Sequence, residues 1–146
     1  MSVRELIAVT EDVRVIATAK ASHNSTTEAA FDFGTPNDID LEALAEAGTI
    51  KPGDRILVVF KATTAGTTDT VSFTAYDAPD AAGSIGTPAA ATVDGVLTGG
   101  TGDETALVAV QVKAGRPWLR FGVDASGTTD TFACTCTVLA VSRAGV

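Results

Sequence analysis

Residues 105–123, TALVAVQVKAGRPWLRFGV, decide the fold class of this chain. Apolar residues occupy every second position on both sides of Ala114-Gly115, a period of two that is typical of half-buried β-strands. A two-residue turn at Ala114-Gly115 predicts a hairpin in which directly opposed residues share a face. The predicted apolar pairs are Val112 with Pro117, Val110 with Leu119, and Val108 with Phe121. The same register places Trp118 and Arg120 on the opposite face.

The same alternation extends to the rest of the chain. Further strands are predicted at 13–21, 29–33, 55–62, 70–76 and 131–142, with a short one at 92–97. In the first strand, the residues expected to share one side are Val13, Val15, Ala17 and Ala19. In the last strand, they are Phe132, Cys134, Cys136, Val138 and Ala140.

Residues 38–47, DIDLEALAEA, are the one good helix candidate. Asp38 or Asp40 can cap its N-terminus, and Gly48 suits the position after its C-terminus. The following Lys51-Pro52-Gly53-Asp54 predicts a type II turn. The sequence therefore predicts an all-β fold, a jelly-roll-like β-sandwich of about eight or nine strands with one short helix at 38–47.

One domain accounts for the chain, since 146 residues is an ordinary size for a single domain. We assign residues 1–12 to an N-terminal arm or edge strand and residues 13–146 to a single β-sandwich domain. Within that domain, residues 77–104 are rich in Gly and Pro and predict a long loop. His23 falls in a polar stretch that predicts a turn.

A pentapeptide, GTTDT, occurs at residues 66–70 and again at 127–131. When the two loops are aligned, Phe60 corresponds to Phe121, and Val71 corresponds to Phe132. The strands on either side of the two loops therefore have apolar residues at the same inward positions. This indicates two similar strand–loop–strand units, 56–76 and 117–137. The repeated loop could be a binding tip, but we favour a role in loop geometry for its Gly and Asp residues.

Composition excludes several classes of partner. The chain has 10 basic and 18 acidic residues, a net charge of -8, which argues against binding nucleic acid or an anionic membrane surface. No window of about 18 apolar residues predicts a membrane-spanning helix. Residues 1–12 lack the pattern of a secretory signal, so we expect synthesis in a cytoplasm.

No catalytic, cofactor or metal site is predicted, and we expect no enzyme. His23 is the only histidine, and the chain has neither a nucleophile elbow nor a phosphate-binding loop. Cys134 and Cys136 lie about 6.6 Å apart along one strand, too far for a disulfide, and are predicted to be core residues. Two groups of acidic residues, Asp32, Asp38 and Asp40 near the helix start and Asp77 with Asp80, are interpreted as helix caps and loop acids. A hydrolase or calcium site at Asp38 and Asp40 stays an alternative.

Trp118 and Arg120 are the candidate interface residues. If the two repeated units are similarly placed, both lie beside Leu57 and Val59, and an exposed Trp and Arg next to apolar residues favour protein binding. The alternative is that the helix or the long loop covers this face.

Residues 115–121, GRPWLRF, followed by a Gly/Thr loop and an apolar closing strand, resemble the C-terminal half of small capsid cement proteins of tailed phages. Phe31-Asp32-Phe33-Gly34 and the later Pro-Gly-Asp turn are similar to that family's N-terminal half, and the resemblance covers most of 13–141. It implies a homo-oligomer, often a trimer, that binds the major capsid protein on the capsid exterior and is made in the host cytoplasm. It implies no catalytic residue or cofactor.

A carbohydrate- or receptor-binding β-sandwich module of a virion or tail is the alternative function. Such modules usually display several aromatic side chains for sugar stacking, whereas this chain has one Trp and one Tyr. The cement interpretation is therefore favoured.

Overall fold

A computed structural model describes residues 12–34 and 36–142. These residues form eleven strands and one helix, α1 (Leu41–Glu46). The strands are β1 (Asp12–His23), β2 (Ala29–Ala30), β3 (Ile39–Asp40), β4 (Arg55–Thr63), β5 (Thr70–Ala78), β6 (Ala89–Ala90), β7 (Val93–Asp94), β8 (Thr98–Thr101), β9 (Glu104–Val110), β10 (Trp118–Ala125) and β11 (Phe132–Ser142). The arm predicted over residues 1–12 lies outside the described residues, apart from Asp12, where β1 begins.

The strands form two antiparallel sheets. Sheet A has the order β1-β11-β4-β9-β7, and sheet B has the order β2-β10-β5-β6, with β3 beside β10 and β8 beside β5. The ladders β1·β11, β2·β10, β4·β9 and β5·β8 are nested within one another along the chain. A long hairpin rolled into two sheets has this nesting, which is that of a jelly roll. The all-β, jelly-roll-like prediction is confirmed.

The predicted hairpin at Ala114-Gly115 is wrong. Strand β9 pairs with β4 and β7 in sheet A, whereas β10 lies in sheet B. One bridge, between Lys113 and Arg116, joins the two sides of the turn. The chain therefore crosses from one sheet to the other here, and Val108 and Phe121 approach the core from opposite sheets. Alternation cannot distinguish the two arrangements, because both place the same residues inward.

The alternation of the strands also predicts a strip of residues that face the core, which we call the inward strip, and this prediction is confirmed. All of its predicted members are buried: Val58, Phe60, Val108, Val110, Leu119, Phe121 and Phe132. Phe60 lies at the centre, stacked on Phe73 with ring centroids 4.7 Å apart and edge-on to Phe121 at 5.8 Å. Burying each such side chain contributes about 1.5–3 kcal/mol, so this strip is the main source of stability.

Strand β1 departs from its predicted phase. Its register with β11 changes from Val15↔Leu139 to Ala17↔Val138, so Ile16 is the extra residue of a β-bulge. The bulge reverses the alternation, and Val13 and Val15 are 58% and 64% exposed instead of sharing the inward side of Ala19. His23 was predicted in a turn, but it ends β1 as a buried residue with Nε2 2.8 Å from the Ser25 carbonyl oxygen.

The helix is shorter than the predicted 38–47. The Asp40 carboxylate caps it by accepting hydrogen bonds from the amides of Glu42 and Ala43, at 3.0 and 3.1 Å. Ile39 and Asp40 instead pair with β10 as strand β3, which moves the helix start to Leu41. The type II turn before β4 is supported, with Gly53 at a φ of 83° and the Asp54 amide bonded to the Lys51 carbonyl.

The segment predicted as a long loop, residues 77–104, contains more structure than expected. Strand β5 continues into it as far as Ala78, and β6, β7 and β8 lie within it. Each of these three is two to four residues long, too short to give a detectable period of two.

The repeated loops 64–69 and 126–131 are hydrogen-bonded to each other. The Asp130 carboxylate accepts hydrogen bonds from the amides of Thr68 and Asp69, both at 2.8 Å. The Asp69 carboxylate accepts from the amides of Thr129 and Asp130, at 2.7 and 2.8 Å. A Cβ at Gly66 would overlap the Asp130 carboxylate, and one at Gly127 would overlap that of Asp69. We call these four residues, Gly66, Asp69, Gly127 and Asp130, the aspartate clasp. The loop-geometry interpretation holds, but each aspartate shapes the other loop.

Replacing either clasp aspartate is expected to destabilise the fold. Asp69→Ala or Asp130→Ala leaves two amides without their acceptor, and each variant should lose about 2–4 kcal/mol of unfolding free energy. Urea unfolding followed by circular dichroism measures this. The control is Asp103→Ala, which removes one exposed bond to the Thr64 amide. A loss no larger than that of the control would contradict a structural role for the clasp.

The two cysteines are expected to be unreactive in the native protein. Both face the core, and burial raises the pKa of Cys134 to about 11 and raises that of Cys136 as well. Since the thiolate is the reactive form, iodoacetamide at mildly alkaline pH should alkylate them only after unfolding in urea. A cysteine placed at the exposed Ala133 on the same strand is the matched control and should react at once. Rapid labelling of both native thiols would contradict this.

Candidate functional site

The four predicted interface residues do not lie side by side. Strand β10, with Trp118 and Arg120, is in sheet B, whereas β4, with Leu57 and Val59, is in sheet A. The two repeated units cross the sandwich in opposite senses, so their first strands fall in different sheets. The expectation that all four share one surface is therefore wrong.

Trp118 is covered by the segment that follows β5. It is 3% exposed, and its Nε1 donates a hydrogen bond to Asp80 Oδ1 at 3.0 Å. This bond is the largest cause lowering the pKa of Asp80, and the Gly83 amide is the second. The long loop thus covers this end of sheet B, which was the alternative to an exposed Trp118.

Arg120 is held by the segment that leads into the helix. Its Nε and Nη2 donate to the two carboxylate oxygens of Asp38, at 2.8 and 2.9 Å, and Asp38 is buried. The hydrogen bond with Asp38 is the largest cause raising the pKa of Arg120. Because this pair is bidentate, it fixes the outer face of sheet B against the start of the helix.

The remaining candidate carboxylates also have structural partners. Asp77 accepts a hydrogen bond from Arg116 and lies 3.3 Å from Lys113 Nζ. Across residues 12–34 and 36–142, no three His, Cys, Asp or Glu side chains cluster closely enough to hold a metal ion. These acids act as caps and ion-pair partners within the fold.

None of the helices in the described part of the chain is long and apolar enough to cross a membrane.

The outer face of sheet A carries a set of apolar side chains from β1, β11, β4 and β9. Cross-strand neighbours bring its apolar side chains together: Val15 lies opposite Leu139, which lies opposite Leu57, and Val59 lies between Thr137 and Leu107. We call this set the apolar band; its members are Val13, Val15, Leu57, Val59, Leu107 and Leu139. Leu107 is 59% exposed. Val13 and Val15 are also exposed, whereas Leu57, Val59 and Leu139 are half-buried. A contiguous, partly exposed apolar patch of this kind is typical of a protein-binding surface.

A basic border lies along one side of the apolar band. Lys20, Thr135 and Lys61 follow one another across β1, β11 and β4, and they line a shallow depression of about 520 Å3. Within the described residues, neither lysine forms a salt bridge. We call Lys20 and Lys61 the lysine border. In a chain of net charge -8, it makes this face suited to a partner that presents carboxylates beside apolar residues.

Comparisons with known proteins find similarity among solved structures. No family model and no curated protein matches the chain. Among solved structures, a chain of the Cyanophage Pam1 capsid asymmetric unit is similar over 90% of this chain and 86% of its own length, with 16% identity and a TM-score of 0.38. A likeness at this level carries no conclusion about function.

The alternation in the sequence places Leu57, Val59, Leu107 and Leu139 at outward positions, but it does not show that they form one surface with Val13, Val15 and the lysine border. The alternation of apolar and polar residues also predicts that Lys20 and Lys61 point outward. Their proximity depends on the strand order β1-β11-β4, which the sequence does not specify. Val13 and Val15 were missed because the bulge reverses the phase of β1.

Trp118, the only tryptophan, gives a direct test of the covered face. Asp80→Ala removes the acceptor of its indole N–H, so we expect a red-shifted emission and stronger quenching by acrylamide. The control is Asp32→Ala, which affects an exposed turn. Equal quenching in both variants would contradict the covering role of this segment.

Acid titration tests the same contact. The folded pKa of Asp80 is lowered, so its contribution to stability is present above the ordinary pKa of an aspartate and is lost as the pH falls through the folded value. The native Trp118 emission should therefore persist through the ordinary aspartate range and change only below it. A change within the ordinary range would show that the bond does not form.

Proposed function

We propose that this chain is a non-enzymatic structural protein of a virion. It binds the outer surface of a tailed-phage capsid as an oligomer, a trimer by the resemblance, and stabilises the shell as a cement protein. The observation that carries the proposal is the open outer face of sheet A, with its apolar band and lysine border. The resemblance of residues 115–121 to cement proteins supports the capsid as the partner.

The mechanism is burial of the apolar band against capsid subunits. Fully burying a Val or Leu side chain is worth about 1.5–3 kcal/mol, so a few of the six residues suffice for useful affinity before the costs of association. The contacted surface exists only where capsid subunits meet, in this proposal. Binding therefore stabilises the assembled shell and does not stabilise dispersed subunits. The shell is then favoured by mass action.

The charges of the chain affect how it associates with the capsid. The lysine border attracts carboxylates on the capsid surface, and a charge complementarity of this kind raises the association rate more than the final affinity. The net charge of -8 keeps decorated particles from associating with one another.

The geometry gives less support to a carbohydrate- or receptor-binding module. Trp118 is buried, and the Tyr76 hydroxyl donates to Glu28 at 2.7 Å. The ring of Trp118 is therefore not available for sugar stacking, and Tyr76 is the one partly exposed ring of the two.

A charge placed in the apolar band is expected to weaken capsid binding. Leu107→Glu introduces a carboxylate at a 59% exposed position, so the fold should be unaffected while affinity falls about tenfold or more. Val112→Glu is the control, because Val112 is 49% exposed but lies beside the helix, away from the band. Cosedimentation with capsid shells purified without this chain gives the affinity.

Two results would contradict the proposal at different levels. Failure of the unaltered chain to bind shells would show that the function is wrong. Binding that is equally affected in Leu107→Glu and Val112→Glu would show that the apolar band is not the contact. Light scattering of the purified chain tests the oligomer separately.

A further inference from the structure

Strand β1 is an open edge of sheet A. It has twelve residues and pairs with β11 along nearly its whole length. On its other side, no strand of the described residues lies next to it. In an edge strand, alternate residues point their N–H and C=O groups away from the sheet, and these groups can pair with another chain.

The strands at the other ends of the two sheet orders are short. Strands β2, β6 and β7 have two residues each. In β1 the bulge at Ile16 interrupts pairing near the start, but the register from Ala17 to His23 is regular. This stretch, ATAKASH, has no proline and one charged residue, and its side chains are mostly too small to shield the backbone.

The open edge borders the core. Ala19 and His23 are buried, and Ala17 and Ala21 are half-buried against the core. On this flank the edge strand of sheet B is β2, which has only two residues. A strand added to β1 would therefore find backbone partners along β1, beside inward-facing residues that already belong to the core.

We infer that β1 accepts an extended segment of the capsid partner as an added strand. The segment would carry small apolar residues at inward positions and a carboxylate opposite Lys20, because opposite charges on directly paired residues are favourable. The inference rests on the proposed function. A second copy is a poorer occupant of this edge, because two-fold antiparallel pairing of residues 17–23 with the same stretch of another copy would place the two Lys20 side chains directly opposite each other.

Hydrogen exchange tests the added strand directly. In the free protein, the amides of residues 17–23 should alternate between slow exchange, where they bond to β11, and fast exchange, where they face the open edge. On capsid shells the fast amides should become slow. Pulse labelling of the shell complex, followed by mass spectrometry with residue-level fragmentation, measures this.

Proline substitution gives a second test with an internal control. Successive residues of a strand direct their N–H groups to opposite edges. Of Thr18→Pro and Ala19→Pro, one therefore loses a bond to β11 and is destabilised. The other loses only an outward donor, is tolerated as edge-strand prolines are, and should bind shells about tenfold more weakly.

A charge reversal tests the predicted carboxylate. Lys20→Glu should weaken binding severalfold, whereas Lys51→Glu, in the exposed turn before β4, should not.

The outcomes separate this inference from the proposed function. No binding of the unaltered chain to shells would overturn both. Normal binding with persistently fast edge amides would overturn the added strand and leave docking by the apolar band intact. Slowing of the edge amides with rising protein concentration in the absence of shells would show that a second copy occupies β1, which would also overturn the inference.

Discussion

The aspartate clasp constrains the strands on which the rest of the sandwich is built. It joins the loops β4–β5 and β10–β11, and these four strands are the adjacent central pairs of the two sheets. Each buried carboxylate satisfies two backbone amides of the opposite loop, which would otherwise be costly to bury. The clasp therefore sets the separation of the sheets at one end, and the ring cluster around Phe60 fills the space between them.

The outer faces of the two sheets differ in how far other parts of the chain cover them. The face of sheet B is covered at one end: Arg120 binds Asp38 before the helix, and Trp118 binds Asp80 after β5. The face of sheet A has no such covering among the described residues, and it carries the apolar band and the lysine border. The two faces explain how a chain with positive mean hydropathy and few charges can leave one apolar surface available to a partner.

The period of two in the sequence was enough to predict the inward strip, from Val58 to Phe132, and with it the all-β class. It could not predict which strands are neighbours, because β9 and β10 place the same residues inward whether they form a hairpin or cross between sheets. The bulge at Ile16 leaves no signal in composition, so the exposure of Val13 and Val15 was missed. The repeated GTTDT loops were recognised, but their reciprocal contacts depend on the three-dimensional approach of residues 61 positions apart.

Cryo-electron microscopy of capsid shells saturated with this chain tests the central claim most directly. We expect the outer face of sheet A, with Leu107, Leu57 and Lys61, to lie against capsid subunits and the outer face of sheet B to point to solvent. Density that shows the chain bound through sheet B, with the apolar band left in solvent, would contradict it.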